Sequence, residues 1–245
     1  MLIIANNHRK TNYIRGIKDG IPICLGYVPI AFAFGMLASQ SGFPIWISTL
    51  ISLTCLSSTG QFAGLSIILA SGGYIELAIT IFVINIRYML MSFALSQRLD
   101  EKMTTMKRCL VAFGNTDEVF AVAMQQKGVL KASYMAGLIT LPIMGWVGGT
   151  IFGATATSLL PLSVQSALGI TIYAMFVAII IPPAKKARPV LITVIIAATV
   201  SCLFKYLPIL ANLSKGWVII IVAVVAAGYC AYRFPIDEET VEVEV

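Results

Sequence analysis

Asp117 and Glu118 stand side by side in the stretch AFGNTDEVFA (residues 112–121), and Arg87 stands in VINIRYMLMS, inside a long apolar run. These groups are the most able to do chemistry. Adjacent carboxylates suit proton transfer, and a guanidinium can clamp a carboxylate through two parallel hydrogen bonds. Nearly all of the other nine acids sit where water is easy to reach: five lie in the last nine residues, and Glu76 follows a Gly-Gly turn.

Each group also has a plainer reading. Gly114 ends a turn, Asn115 is a good N-cap and Glu118 falls at the N3 position of a capping box. Asp117 is left over, mildly favoured in a first turn by the helix dipole. Its functional alternative, shared with Glu118, is to carry a coupling proton or to gate a cytoplasmic mouth. That role requires burial to raise the carboxyl pKa. A charge deep in an apolar run is costly and marks function by default, so Arg87 is the leading binding candidate; the alternatives are snorkelling or pairing elsewhere in the bundle. Asn85, Gln61 and Ser58 join it as candidate substrate contacts. Gln61 reads equally as part of a packing patch, in which Gly60 and Gly64 let another helix approach.

Other chemistries find no support. No credible nucleophile–base pair is present, so an enzyme is not expected. His8 is the sole histidine and the five cysteines form no CxxC pair, so neither a metal nor a cofactor is expected. Nothing matches GxxxxGK[ST], which argues against a nucleotide-driven pump.

The elements that must position these residues are membrane helices. Of 245 residues, 58% are hydrophobic and 11% charged, against roughly a quarter charged in soluble domains. The reading is an all-α polytopic membrane protein, one membrane domain with about seven hydrophobic segments: 21–41, 45–70, 75–97, 133–157, 165–182, 189–206 and 217–234. Residues 1–20 form a polar basic tail rather than a signal peptide, 98–131 an amphipathic cytoplasmic interval, and 235–245 an acidic tail. The net charge of +6 concerns orientation in the bilayer rather than nucleic acid. Lys and Arg ask for a cytoplasmic N-terminus and a cytoplasmic 98–131, yet three segments separate the two. The odd parity means that one segment fails to cross, that 109–126 crosses, or that the rule fails at one end; 45–70, with SSTGQFAG in its middle, is the first candidate for a broken or re-entrant element.

GYVPIAFAFGMLAS (26–39) resembles MGWVGGTIFGATAT (144–157), with Phe34-Gly35 echoed by Phe152-Gly153; three-segment repeats of this kind would be inverted. Gly145, Gly149 and Gly153 read as a packing ridge. Pro22 and Pro29, seven apart, mark a kink or break in the first segment, and Gly35 a close approach.

In order, GIPICLGYVPIAFAFG, SSTGQFAG, NIRYML and AFGNTDEVFA resemble the AzlC/YgaZ family, from about Gly16 to Pro182. That resemblance implies a secondary transporter of the bacterial cytoplasmic (inner) membrane, the large subunit of a two-component branched-chain amino acid exporter. It further implies a small hydrophobic partner of the AzlD/YgaH type, a proton gradient as driving force, and valine, leucine, isoleucine or methionine as substrate. The rivals are a membrane scaffold or assembly factor that transports nothing, and an importer of similar amino acids.

Overall fold

The structure, a computed structural model, describes residues 2–157, 187–207 and 213–234, with 180–185 and positions 159, 161, 163 and 177. The expected segment 165–182 and the tail 235–245 fall almost wholly outside the described residues. Nine long or half-length helices are described: α1 (Leu2–Gln40), α2 (Ile45–Thr54), α3 (Ser58–Leu69), α4 (Tyr74–Ser96), α5 (Thr105–Phe113), α6 (Asp117–Met124), α7 (Ala132–Thr157), α8 (Arg188–Tyr206) and α9 (Lys215–Arg233). Among the described residues, five stretches are long and apolar enough to cross a membrane: Lys10–Gln40, Tyr74–Ser96, Ala132–Thr157, Arg188–Tyr206 and Gly216–Arg233. The chain is an all-α membrane protein.

It divides into two compact units. One comprises Met1–Leu65 with Ile81–Ile172, the other Ser66–Thr80 with Tyr173–Val245.

The first unit is organised by α1 against α7. Small residues line their contact, so the backbones approach closely. A Cβ on Gly16 would strike the carbonyl of Tyr134, one on Gly35 that of Thr150, and one on Gly153 that of Phe32. Between these, Gly145 meets Cys24 and Gly149 meets Val28. Residue numbers rise together along both helices, so α1 and α7 run parallel. The inverted relation expected of the two similar stretches therefore does not hold for this pair. Pro22 and Pro29 lie on the opposite, exposed side of α1, which continues through both. The stretch expected as a polar tail is the first half of this 39-residue helix. At 1.5 Å per residue α1 reaches about 58 Å, well beyond a ~30 Å hydrocarbon core.

Helix α4 runs the other way. Its C-terminal extension reaches Leu130, just before α7: Leu130 N donates to Arg98 O at 2.8 Å and Asp100 N to Leu130 O at 3.0 Å. Thus 100–129 returns to where it left, and is no crossing. Asn85, mid-way along α4, adjoins Cys55 at the end of α2. Three residues earlier, Ser52 bonds Thr150, far along α7. The chain therefore enters α4 from the side where α1 ends. Helices α2 and α3, 10 and 12 residues long, each span about half of a ~30 Å core. Neither is long enough to cross alone, and the extended Cys55 separates them. A broken, re-entrant element at 45–70 removes the parity conflict.

In the second unit α8 and α9 pack together, with the Thr193 hydroxyl 3.0 Å from Cys230 Sγ. Glu76 is not beside water as expected: it is 7% exposed, and its Oε1 accepts from Gly216 N at 2.7 Å, capping α9.

The glycine contact makes one expectation sharp. Gly153→Val should lower stability by about 1–3 kcal/mol, the usual range for overpacking. Gly148→Val, whose added carbon meets nothing within 4 Å, should stay within about 0.5 kcal/mol of the parent. Thermal melting of the detergent-solubilised protein measures both.

Candidate functional site

The break between α2 and α3 is built locally. Cys55 is extended (φ −127°, ψ 94°) and ends α2. Ser57 starts α3 by accepting from Gly60 N at 3.2 Å through its hydroxyl, the usual N-cap bond to the third helical residue. A side chain at position 60 would crowd Ser57 and Cys55, so Gly60 serves its own cap rather than a passing helix. Gly64 is buried on α3, and Ser58 is its partly exposed first residue.

Facing the break, α4 presents Asn85 and Tyr88, while Arg87, next to Tyr88, turns to Asp117 at the start of α6. The Arg87 guanidinium lies 5.2 Å from the Tyr88 ring centroid, and Tyr88 reaches Ser57. Arg87 Nη2 pairs with Asp117 Oδ2 at 2.8 Å, the two side chains 50% and 41% exposed. An ion pair that exposed is worth about 0–1 kcal/mol, so it positions groups more than it holds the fold. Burial pushes the Asp117 carboxyl above the ordinary carboxylate range; Arg87 pulls it down, and Glu118 adds to the rise.

The helix start differs from the expected capping box. Thr116 is the N-cap, accepting from Val119 N through its side chain. The Asn115 amide instead donates to Ser92 Oγ at 3.2 Å, across to α4. Glu118 Oε2 lies 2.5 Å from Tyr27 Oη on α1, and Thr116 Oγ1 lies 2.6 Å from the same oxygen. One phenolic proton cannot serve both. The carboxylate only accepts, so Tyr27 donates to Glu118 and Thr116 donates to Tyr27. The tie explains why Glu118 is not at N3: the helix begins one residue later, at Asp117, leaving Glu118 to point at α1. Tyr27 in turn packs edge-on against Trp146 of α7, with ring centroids 5.2 Å apart.

Gln61 sits on the α7 side of the break, 2% exposed. One arm of its amide accepts from Ser52 Oγ at 3.1 Å, and Ser52 shares a hydrogen bond of 2.7 Å with Thr150. Among the described residues its other arm, Nε2, has no partner, nor have Asn85 Oδ1, Asn115 Oδ1 and Trp146 Nε1. Buried polar atoms without partners are uncommon and call for an explanation. Two of these atoms, on Gln61 and Asn85, belong to residues that adjoin the break.

The structure thus brings Arg87 to Asp117, sets Asn85 beside the break, and puts Gln61 in a separate buried network. Sequence reasoning missed Tyr27, Ser52, Thr116 and Thr150. All are hydroxyls inside or beside apolar runs, and the cost of polar groups in a membrane applies to hydroxyls as well as charges.

A family model described as AzlC protein matches residues 22–160, more than half of the chain and every residue of this site. The chain belongs to the AzlC family. It is similar to the inner membrane protein YgaZ of Escherichia coli, 29% identical over 192 residues, covering 75% of this chain and 78% of that one. An uncharacterized membrane protein of Archaeoglobus fulgidus is 34% identical over 179 residues, 72% of this chain and 78% of that one. No solved structure matches significantly. The AzlC match ends at 160, so it stops short of α8 and α9.

Two measurements test this geometry. Tyr27→Phe removes a hydrogen bond to a carboxylate and should cost about 1.5–3 kcal/mol, against less than about 1 kcal/mol for Arg87→Ala, both read by thermal melting. In Arg87→Ala the cation that lowers Asp117 is gone, so its carboxyl should titrate at higher pH. Infrared titration of the carboxyl band absent from Asp117→Asn reads that shift; an unmoved band would show that Arg87 does not govern Asp117.

Proposed function

We propose that this chain is the large subunit of a secondary transporter that exports branched-chain amino acids (valine, leucine or isoleucine, with methionine of similar size) across the bacterial cytoplasmic membrane. The observation that carries the reading is Arg87: a permanent cation in an apolar helix, against the ring of the tyrosine that reaches the helix break, held by one half-exposed carboxylate. A zwitterion supplies a second carboxylate that competes with Asp117 for the guanidinium, in the planar geometry Arg favours. The ammonium group suits the carbonyls at the end of α2, which lack helical partners. Asn85 Oδ1 is an unpaired acceptor beside the same break. The aliphatic side chain needs only apolar surface.

Asp117 is the gate in this reading. With Arg87 taken by substrate, Asp117 loses the charge that favours its ionised form and binds a proton more readily, so substrate and proton are carried together, and export by this route runs down the amino acid gradient rather than on inward proton flow. Net direction follows the amino acid and proton gradients. Gln61 takes a supporting role, since its amide is bound to Ser52 and Thr150 through one network.

A small hydrophobic partner of the AzlD type fits the exposed face of α4. Phe82, Met89, Leu90 and Phe93 are exposed there, and Arg87 lies half-exposed on the same helix. A charged residue facing bare lipid is costly, so a protein surface over this helix would seal the site.

Flux of labelled valine from vesicles tests the whole reading, with and without the partner and with a pH gradient of either sign. Flux should require both subunits, change with the sign of the gradient, and fall more than about tenfold in Arg87→Ala, as expected when a charged hydrogen-bond partner is lost. Absence of flux in every arrangement would favour a scaffold, and flux that survives Arg87→Ala would remove Arg87 from the site.

A further inference from the structure

A concavity lies in the first unit, and Arg87 is not among the residues that line it. It is a cleft of about 1110 Å³ between α5 and the first half of α7, with Asn12 of α1 and the 100–103 turn at one end. At that end Lys102, Lys107 and Lys131 line it, against a single acid, Asp100. The Asp100 carboxylate is already engaged by the backbone N–H of Lys102 at 3.0 Å. Beyond the lysines the walls are apolar, with Leu110 and Phe113 on α5 and Ile139, Ile143 and Met144 on α7. The mouth is thus cationic and the shaft is hydrocarbon.

We propose that this cleft binds an anionic phospholipid, its phosphate among the three lysines and an acyl chain along α7. Three features select this occupant. The lysine-bearing end adjoins the basic face of the unit, where Arg98 and Arg15 also lie and where the charge rule puts the cytoplasmic leaflet. Basic pockets between helices on that side suit anionic head groups. From Ser133 to Met144 the α7 wall rises about 16 Å, close to half of a ~30 Å core and so to the depth of one leaflet. A free phosphate would satisfy the lysines and leave that wall bare. The exposed apolar face of α5, with Met106, Leu110 and Phe113, would then rest in the same leaflet.

The experiment compares phosphatidylglycerol with phosphatidylcholine carried by the purified full-length chain, counted by native mass spectrometry. Phosphatidylglycerol should be retained at least tenfold better. Lys102→Gln/Lys107→Gln/Lys131→Gln should abolish that preference, each lysine contributing roughly five-fold, while Lys127→Gln, a lysine of the same interval that does not line the cleft, should keep it. Ala136→Trp, which fills the shaft without touching charge, should lower retention of both lipids. Equal retention of the two lipids, an unaltered preference in the triple variant, or displacement of the lipid by inorganic phosphate would overturn the proposal.

Discussion

The first unit depends on the close parallel approach of α1 and α7. Glycines on each helix face backbone carbonyls on the other, so neither can rotate or slide without driving carbon into oxygen. That fixed pair sets the depth of everything else. It brings Tyr27 against Trp146, and Thr150 to the hydroxyl of Ser52. Because the two helices point the same way, an odd number of crossings must lie between them. Only α4 supplies one, which leaves α2 and α3 as a pair of half-helices meeting inside the apolar layer.

Much of this was legible in the sequence, and the limits have physical causes. Apolar runs announce spans because every backbone polar group in lipid must be satisfied within the helix. The conflict of charge parity even pointed to the correct segment as irregular. Direction was not legible: the similarity between 26–39 and 144–157 records only that both need small residues at a close contact, which parallel and antiparallel pairs share. Hence the expected inversion failed for this pair. The polar start of α1 was misjudged for a related reason. Helix α1 extends past the hydrocarbon layer, where polarity no longer signals a tail; Tyr134 of α7 even donates to Asp19 there, at 2.8 Å.

At the site, local rules misassigned partners that are distant in sequence. Asn115 and Glu118 have the spacing of a capping box, and nothing nearby in the sequence shows that Ser92 and Tyr27 compete for them. Thr116 takes over the cap, accepting from Val119 N at 3.5 Å, which leaves Asn115 and Glu118 to their tertiary bonds. Arg87 and Asp117 were both singled out, but their pairing joins residues thirty positions apart and follows from α6 docking between α1 and α4. Gln61 was legible as a buried polar group, and its confinement by Ser52 and Thr150 was not.

These ties also decide which contact is free to change. Asn115 anchors the start of α6 to α4, and Thr116 and Glu118 anchor it to α1 through one tyrosine. A hydrogen bond to a charged group contributes about 1.5–3 kcal/mol, and the apolar face of α6 adds Val119 and Ala123 to the core. Asp117 alone among these four residues is held by a half-exposed ion pair, a contact worth about 0–1 kcal/mol. An incoming carboxylate can therefore replace Asp117 at Arg87 while α6 stays where it is. The rigid frame makes the exchange local, and the weakness of the pair makes it reversible. A buried, fully bonded Asp117 would have given a stronger structure with nothing left to trade.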